Sequence, residues 1–155
     1  HCKCADHLMA IDDNDMDKMA KVSTIANLLP QTSFYLNKNY AQARKMLSKG
    51  IALALSSDYN PGSAPSENYQ FVMQLAANKM MMTPFEILNA STINPAVILN
   101  RNDRIGSIEI GKQADIVLLK AQNFEYVLYH FGINHTVDVF KNGRLVVKNR
   151  QRIEG

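Results

Sequence analysis

Between positions 51 and 55 every residue is apolar, Ile51-Ala52-Leu53-Ala54-Leu55, and the run stops abruptly at Ser56-Ser57-Asp58. A short apolar run without alternation predicts a strand buried on both faces, as in a parallel sheet covered by helices. Two earlier segments, 2–8 and 24–29, are also strand-like, the second closed by Pro30. Residues 12–21 begin with acids and carry Met16, Met19 and Ala20 at helical spacing, which predicts an amphipathic helix. Residues 40–49 place Ala41, Ala43, Met46 and Leu47 in a second helix, with Gly50 just past its end. Three strands alternating with two helices predict parallel βα units. Right-handed crossovers then bring all three strand ends to one side.

Beyond position 58 the pattern changes twice. Tyr59-Asn60-Pro61-Gly62-Ser63-Ala64-Pro65 is rich in turn formers, and Ser66 can cap a helix over 67–79. Thr83-Pro84-Phe85-Glu86 is a capping box with proline in the first turn, and Asn94-Pro95 opens a further helix toward Leu99. The methionines near these helices, Met80 to Met82 included, read as core packing. From Gly106 onward the texture is β-rich. A turn leads into a strand ending at Leu119, and Asn142-Gly143 sits between two strand-like runs as a two-residue hairpin turn. A small antiparallel sheet is therefore expected to follow the βα units.

Composition narrows the class. The 155 residues are 46% hydrophobic and 20% charged, which predicts a globular protein with a sizeable core. A net charge of +3 with no basic run argues against nucleic acid as a partner. No apolar stretch approaches the roughly 20 residues needed to span a bilayer, so no membrane partner is expected. Two cysteines make no disulfide framework, and no leader pattern is visible, so a cytoplasmic location is expected. The chain opens on His1, already close to a strand, and reads as a piece of a longer protein.

The candidate chemistry gathers at predicted strand ends. Asp58 stands where a buried strand gives way to its loop, the position where (β/α) barrels keep their reacting groups. The alternative is a capping or Asx-turn aspartate, common in such loops. His7 ends the first strand and would share a rim with Asp58. A histidine and an aspartate so placed suit metal-assisted hydrolysis, the aspartate taking a proton and the histidine polarising a carbonyl. A hydrogen-bonded structural histidine is the plainer reading. The cluster His1-Cys2-Lys3-Cys4-Ala5-Asp6-His7 fits no standard zinc spacing, and strand alternation splits it between two faces. Cys2 and Cys4 are read instead as buried structural thiols. Asn60, Gly62 and Ser63 offer hydrogen-bonding groups and close backbone approach to a polar ligand, or else form a plain connecting turn. His130 and His135 fall in an aromatic stretch, 126–135, read as a surface or interdomain loop rather than a ligand pair.

Several segments together resemble the C-terminal part of the imidazolonepropionase family, the histidine-degradation branch of the amidohydrolase superfamily. They are Ala5-Asp6-His7-Leu8, Leu28-Leu29-Pro30 with Phe34-Tyr35-Leu36, Ser57-Asp58-Tyr59-Asn60-Pro61-Gly62-Ser63, and Tyr129-His130-Phe131-Gly132-Ile133-Asn134-His135. Gly111-Lys112-Gln113-Ala114-Asp115 and Lys141-Asn142-Gly143 belong to the wider superfamily and say little about substrate. The resemblance implies an α/β fold, the C-terminal part of a (β/α)8 TIM barrel over 1–105, followed over 106–155 by part of a small β-sandwich domain. It implies hydrolysis of 4-imidazolone-5-propanoate to N-formimidoyl-L-glutamate, with a zinc or iron ion per active site. Asp58 matches a metal-binding, proton-shuttling aspartate and His7 a histidine that contacts the reacting carbonyl. Asn60, Gly62 and Ser63 match a substrate-contacting loop. The remaining metal ligands would lie upstream, so these residues alone would be inactive. A small-molecule substrate and a homodimer in the full-length form are implied with them. Another amidohydrolase, such as a ring deaminase, and a non-catalytic interaction module stay open as alternatives.

Overall fold

The computed structural model describes residues 2–154. His1 and Gly155, the outer limits of the 1–105 and 106–155 division and one end of the cysteine-rich cluster, lie outside them. The chain begins as three βα units. Strand β1 (Cys4–Asp6) leads to helix α1 (Asp13–Ala20), and β2 (Ile25–Leu28) leads to α2 (Pro30–Tyr35) and α3 (Ala43–Ser48). Strand β3 (Leu53–Leu55) is followed by α4 (Tyr69–Met80), α5 (Pro84–Ser91) and α6 (Ile93–Ile98). The three strands form one parallel sheet in the order β1-β2-β3, as the alternating pattern predicts.

Register explains why this sheet has two characters. Ala5 pairs with Ala26, Ala26 with Leu53, and Leu28 with Leu55, so these side chains share one face. That face packs into a core with Met16, Met46, Val72, Ala76, Met80 and Ile87 from the covering helices. Met80 and Met82 are thus core fillers, as expected, but Met81 between them is not: it is 66% exposed at the left-handed end of α4. The opposite face carries Asp6, Asn27 and, one residue past β3, Ser56. Ser56 Oγ donates to Asn27 Oδ1 at 2.8 Å, and Asn27 Nδ2 donates to Asp6 Oδ1 at 2.9 Å, a polar ladder across the three strand ends.

Local signals set the helix boundaries. Asp12 caps α1 by accepting from the Asp15 amide at 2.8 Å. The Thr83–Glu86 capping box forms in full, with Pro84 in the first turn of α5. The cap of α4 is Asn68 rather than Ser66, and the helix starts at Tyr69. Ser66 instead accepts from the Asn68 amide and helps form the turn before it. Helix α2 has no counterpart in the strand-and-loop reading of this segment. Pro30 does close the strand, but it also opens a helix, because proline fits a first helical turn where its missing N–H costs nothing.

The cysteines correct a second expectation. Both are free, Cys2 exposed and Cys4 half-buried, so neither is a deeply buried structural thiol. Burial, followed by the neighbouring Asp6 carboxylate, raises the Cys4 thiol above its ordinary value.

From Gly106 the chain changes character. Gly106 has φ +96°, and a Cβ there would lie 2.8 Å from the Ala96 Cβ of α6, so only glycine fits this contact. Strands β4 (Ile116–Leu119), β5 (Thr136–Lys141), β6 (Arg144–Lys148) and β7 (Gln151–Arg152) form an antiparallel sheet in that order. Asn142 and Gly143, at φ +51° and +74°, make the expected tight turn between β5 and β6.

The aromatic stretch is not simply a loop. Asn123 caps a helix, α7 (Phe124–Tyr129), that buries Val127 and Leu128 against the βα units. Two glutamines of α4 hold the segment between α7 and β5. Buried Gln74 donates to the carbonyls of Val127 and His130 and accepts from the Gly132 amide at 3.1 Å. Gln70 accepts from the His135 amide and donates to Asn134 and Thr136. His135 is buried, with Nε2 3.2 Å from the His130 carbonyl, and the His130 ring stacks on Tyr126. The two histidines are parts of a strap that ties the antiparallel sheet to α4.

Candidate functional site

Parallel strands present their C-terminal ends on one rim, and the candidate residues sit just beyond them. His7 follows β1 directly. Its amide extends the ladder by donating to the Asn27 carbonyl at 3.0 Å, but its φ of +65° breaks the strand. The alternation that splits Cys4 and Asp6 from Ala5 therefore does not extend to His7. The His7 ring is half-buried, and its Nδ1 is buried with no hydrogen-bond partner among the described residues. An imidazole nitrogen left so is a position waiting for a donor or acceptor, since buried polar atoms are otherwise paired.

Asp58 lies three residues beyond β3, with φ +53°. Aspartate is among the few side chains that tolerate this left-handed backbone. Its Oδ2 accepts from the Thr32 hydroxyl at 2.6 Å. The capping alternative finds no support, because the cap of the next helix is Asn68. Strand β2 separates β1 from β3, which spaces the two outer strands by about 10 Å. No hydrogen bond joins His7 to Asp58 among the described residues.

The loop after Asp58 is organised by Asn60. Its Oδ1 accepts from the amides of Gly62 (2.9 Å) and Ser63 (2.8 Å), while Nδ2 donates to the Asp58 carbonyl and to Ser63 Oγ. The Asn60 amide group is thus occupied inside the loop, which closes on itself through the Asn60–Ala64 bridge. Gly62 does not use a left-handed backbone. A Cβ there would meet only Asn60 Oδ1, at an ordinary 3.4 Å. Its contribution is a bare, exposed stretch of main chain.

Helix α2 holds this loop at both ends. Thr32 reaches Asp58, and buried Gln31 donates Nε2 to the Ser66 carbonyl at 2.7 Å. Neither residue stands out in the sequence. The available signal is Pro30, which marks a helix start as readily as a strand end. Asn27 and Ser56 are equally silent, since their pairing depends on strand register. Among the described residues, no group of three or more His, Cys, Asp or Glu side chains is placed to hold a metal ion.

The amidohydrolase family model matches residues 2–146. The chain belongs to the amidohydrolase family. Among curated amidohydrolase relatives, it is 56% identical over 144 residues to an imidazolonepropionase of Fusobacterium nucleatum subsp. nucleatum, covering 93% of this chain and 35% of the relative. It is 55% identical over 144 residues to an imidazolonepropionase of Alkaliphilus metalliredigens, covering 92% and 34%. The chain thus spans about a third of the length of these relatives. Solved structures agree in fold. An adenosine deaminase from Xanthomonas campestris with bound zinc superposes with a TM-score of 0.84 at 22% identity, over 98% of this chain and 38% of that one. Atrazine chlorohydrolase TrzN from Arthrobacter aurescens TC1, complexed with zinc, gives 0.85 at 18% identity, over 98% and 37%. The α/β amidohydrolase fold is therefore shown, and these distant likenesses carry no substrate.

Proposed function

We propose that this chain is the C-terminal part of an imidazolonepropionase, opening the ring of 4-imidazolone-5-propanoate with water to give N-formimidoyl-L-glutamate. The observation that carries this is identity of 47–56% to curated imidazolonepropionases across more than nine-tenths of the chain. Residues 1–105 would be the last units of a (β/α)8 barrel and 106–155 part of a small β-sandwich domain. The switch from a parallel to an antiparallel sheet near Gly106 supports that division.

Water adds to the ring carbonyl, the carbon–nitrogen bond breaks, and the leaving nitrogen takes a proton. Asp58 is suited to moving that proton, since Thr32 holds one carboxylate oxygen and leaves the other available. His7 is suited to hydrogen-bonding the oxygen on which negative charge grows, using a ring nitrogen that the described residues leave unpaired. The chemistry that a zinc or iron ion would supply when bound is a water of lowered pKa as the nucleophile. The residues fit such an ion as a partial donor set. The Asp58 carboxylate offers one ligand, and a catalytic site needs about three. The loop of Asn60, Gly62 and Ser63 is assigned to the substrate, Asn60 shaping it by holding the Gly62 and Ser63 amides and the Ser63 hydroxyl, and Gly62 allowing close approach to the bare main chain. A homodimeric cytosolic enzyme accompanies this assignment.

Full-length enzyme containing these residues tests the proposal, assayed on 4-imidazolone-5-propanoate beside a panel of aminated rings, with metal analysis. Release of N-formimidoyl-L-glutamate is expected. Deamination of a panel member without ring opening would overturn the substrate assignment.

A further inference from the structure

We propose that Thr32 is a positioning residue for the Asp58 carboxylate, fixing which oxygen faces the rim. The inference rests on the assignment of Asp58 as the reacting carboxylate and deepens it. Thr32 is only 4% exposed, and its Oγ1 donates to Asp58 Oδ2 at 2.6 Å. A hydroxyl has one proton to give. Threonine in a helix commonly gives it to a carbonyl one turn back, three or four residues before it. Here Thr32 lies in the first turn of α2, so the residues three and four back are its cap, Leu29, and the end of β2, Leu28, not a preceding helical turn. The hydroxyl proton goes across to Asp58.

The donor is stiff and the acceptor is not. Thr32 is packed into a buried turn, which holds its side chain in the rotamer that carries this hydrogen bond. Asp58 sits outside the strand on a left-handed backbone residue, where no ladder hydrogen bond fixes its orientation. Tying Oδ2 to Thr32 removes the carboxylate's rotational freedom and leaves Oδ1 as the oxygen that meets a ligand. Groups that orient a metal-binding or proton-moving side chain in this way typically carry 10–100-fold effects on activity or metal affinity.

The test compares Thr32→Val, Thr32→Ser and Asp58→Asn in the full-length holoenzyme, reading kcat and KM separately, together with metal retention against a chelator. Thr32→Val keeps the shape and removes the donor. Its kcat should fall at least tenfold with KM within about threefold, and metal should be lost at about tenfold lower chelator. Thr32→Ser, which keeps the hydroxyl, should stay within about threefold of the parent on every readout. If Thr32→Val does not fold, Thr32→Ala against Thr32→Ser makes the same comparison. A donor-less variant with parental kcat and metal retention overturns the proposal. So does a serine variant as defective as valine, because packing rather than the hydroxyl would then be responsible. Asp58→Asn separates the two claims. If it turns over normally, the assignment of Asp58 has failed. If it is inactive while Thr32→Val is normal, only the role of Thr32 has failed.

Discussion

Asp58 and His7 share an uncommon backbone state, each in the left-handed region just beyond a parallel strand. Non-glycine residues rarely sit there without a reason, and such positions concentrate at functional sites. If Asp58 moves the proton, Asp58→Asn in the full-length enzyme should fold normally and lose ring-opening activity almost completely. An amide neither takes the proton nor binds a cation as a carboxylate does. His7→Ala should lower kcat on the order of 10²-fold if His7 donates to the developing oxyanion. Steady-state kinetics at saturating metal, with circular dichroism to verify the fold, measures both, and near-parental turnover in either variant refutes that residue's role. Asp58 is visible in the sequence because an apolar run that stops at a polar residue marks a strand end, whereas His7 is reached only through the strand-like 2–8 segment, which Lys3 and Asp6 interrupt. Thr32 is not visible, since its partner is 26 residues away and only packing brings the two together.

At the scale of elements, the tie between α3 and α5 shows how a local motif gains long-range consequence. The Glu86 carboxylate completes the capping box by accepting from the Thr83 amide at 2.7 Å, and it also receives both prongs of the Arg44 guanidinium. Hydrogen bonding from Arg44 is the main cause that lowers the Glu86 carboxyl to about 2, with burial opposing and Thr83 adding. Unfolded, the group titrates near 4.5, so the folded form binds fewer protons between those values. Its stabilisation is complete above pH 4.5 and disappears as pH falls through about 2. Glu86→Gln keeps the capping acceptor and loses the charge facing a partly exposed Arg44, so it should cost about 1 kcal/mol at neutral pH and make stability less pH-dependent in that window, as urea unfolding at stepped pH would show. Equal acid slopes in parent and variant would count against the pair. The capping box is fully legible, as four adjacent residues encode it. The Arg44 partner is not, because it depends on how two helices pack. The same holds for α7 and its strap. The 126–135 stretch reads as a loop in the sequence because Gly132 and His135 are fixed by a pair of glutamines more than 50 residues earlier. Gln74→Leu would take the partner from the buried Val127 carbonyl and from the Gly132 amide, while the His130 carbonyl keeps the His135 ring. A loss of about 2 kcal/mol is expected, with faster exchange of the Gly132 amide, and hydrogen exchange checks it.

For the whole molecule, the decisive feature is how much sheet edge and apolar surface these 155 residues leave open. Among the described residues, β2 of the parallel sheet is paired on both sides, while β1 and β3 each have one free edge. Beside β1 runs an open groove of about 710 Å³, lined by Ala5, Leu8, Met9, Ile11, Met19 and Val22 among others. Near the antiparallel sheet, Ile108 and Ile110 are almost wholly exposed and Val117 is half exposed. Unpaired edges template pairing with other chains, and contiguous exposed apolar surface drives association. The 155-residue chain expressed by itself should therefore run above its 17.4 kDa mass in light scattering. It should also enhance the fluorescence of a hydrophobic dye. Its bound zinc or iron should fall well below one ion per chain, because the described residues gather no three-donor cluster. Supplying the remainder of the full-length protein should abolish the dye signal and restore metal together, since the same missing elements would cover the edges and complete the donor set. A dye-silent monomer holding one tight ion would show that this segment closes its own edges and its own metal site, which the sheet order argues against.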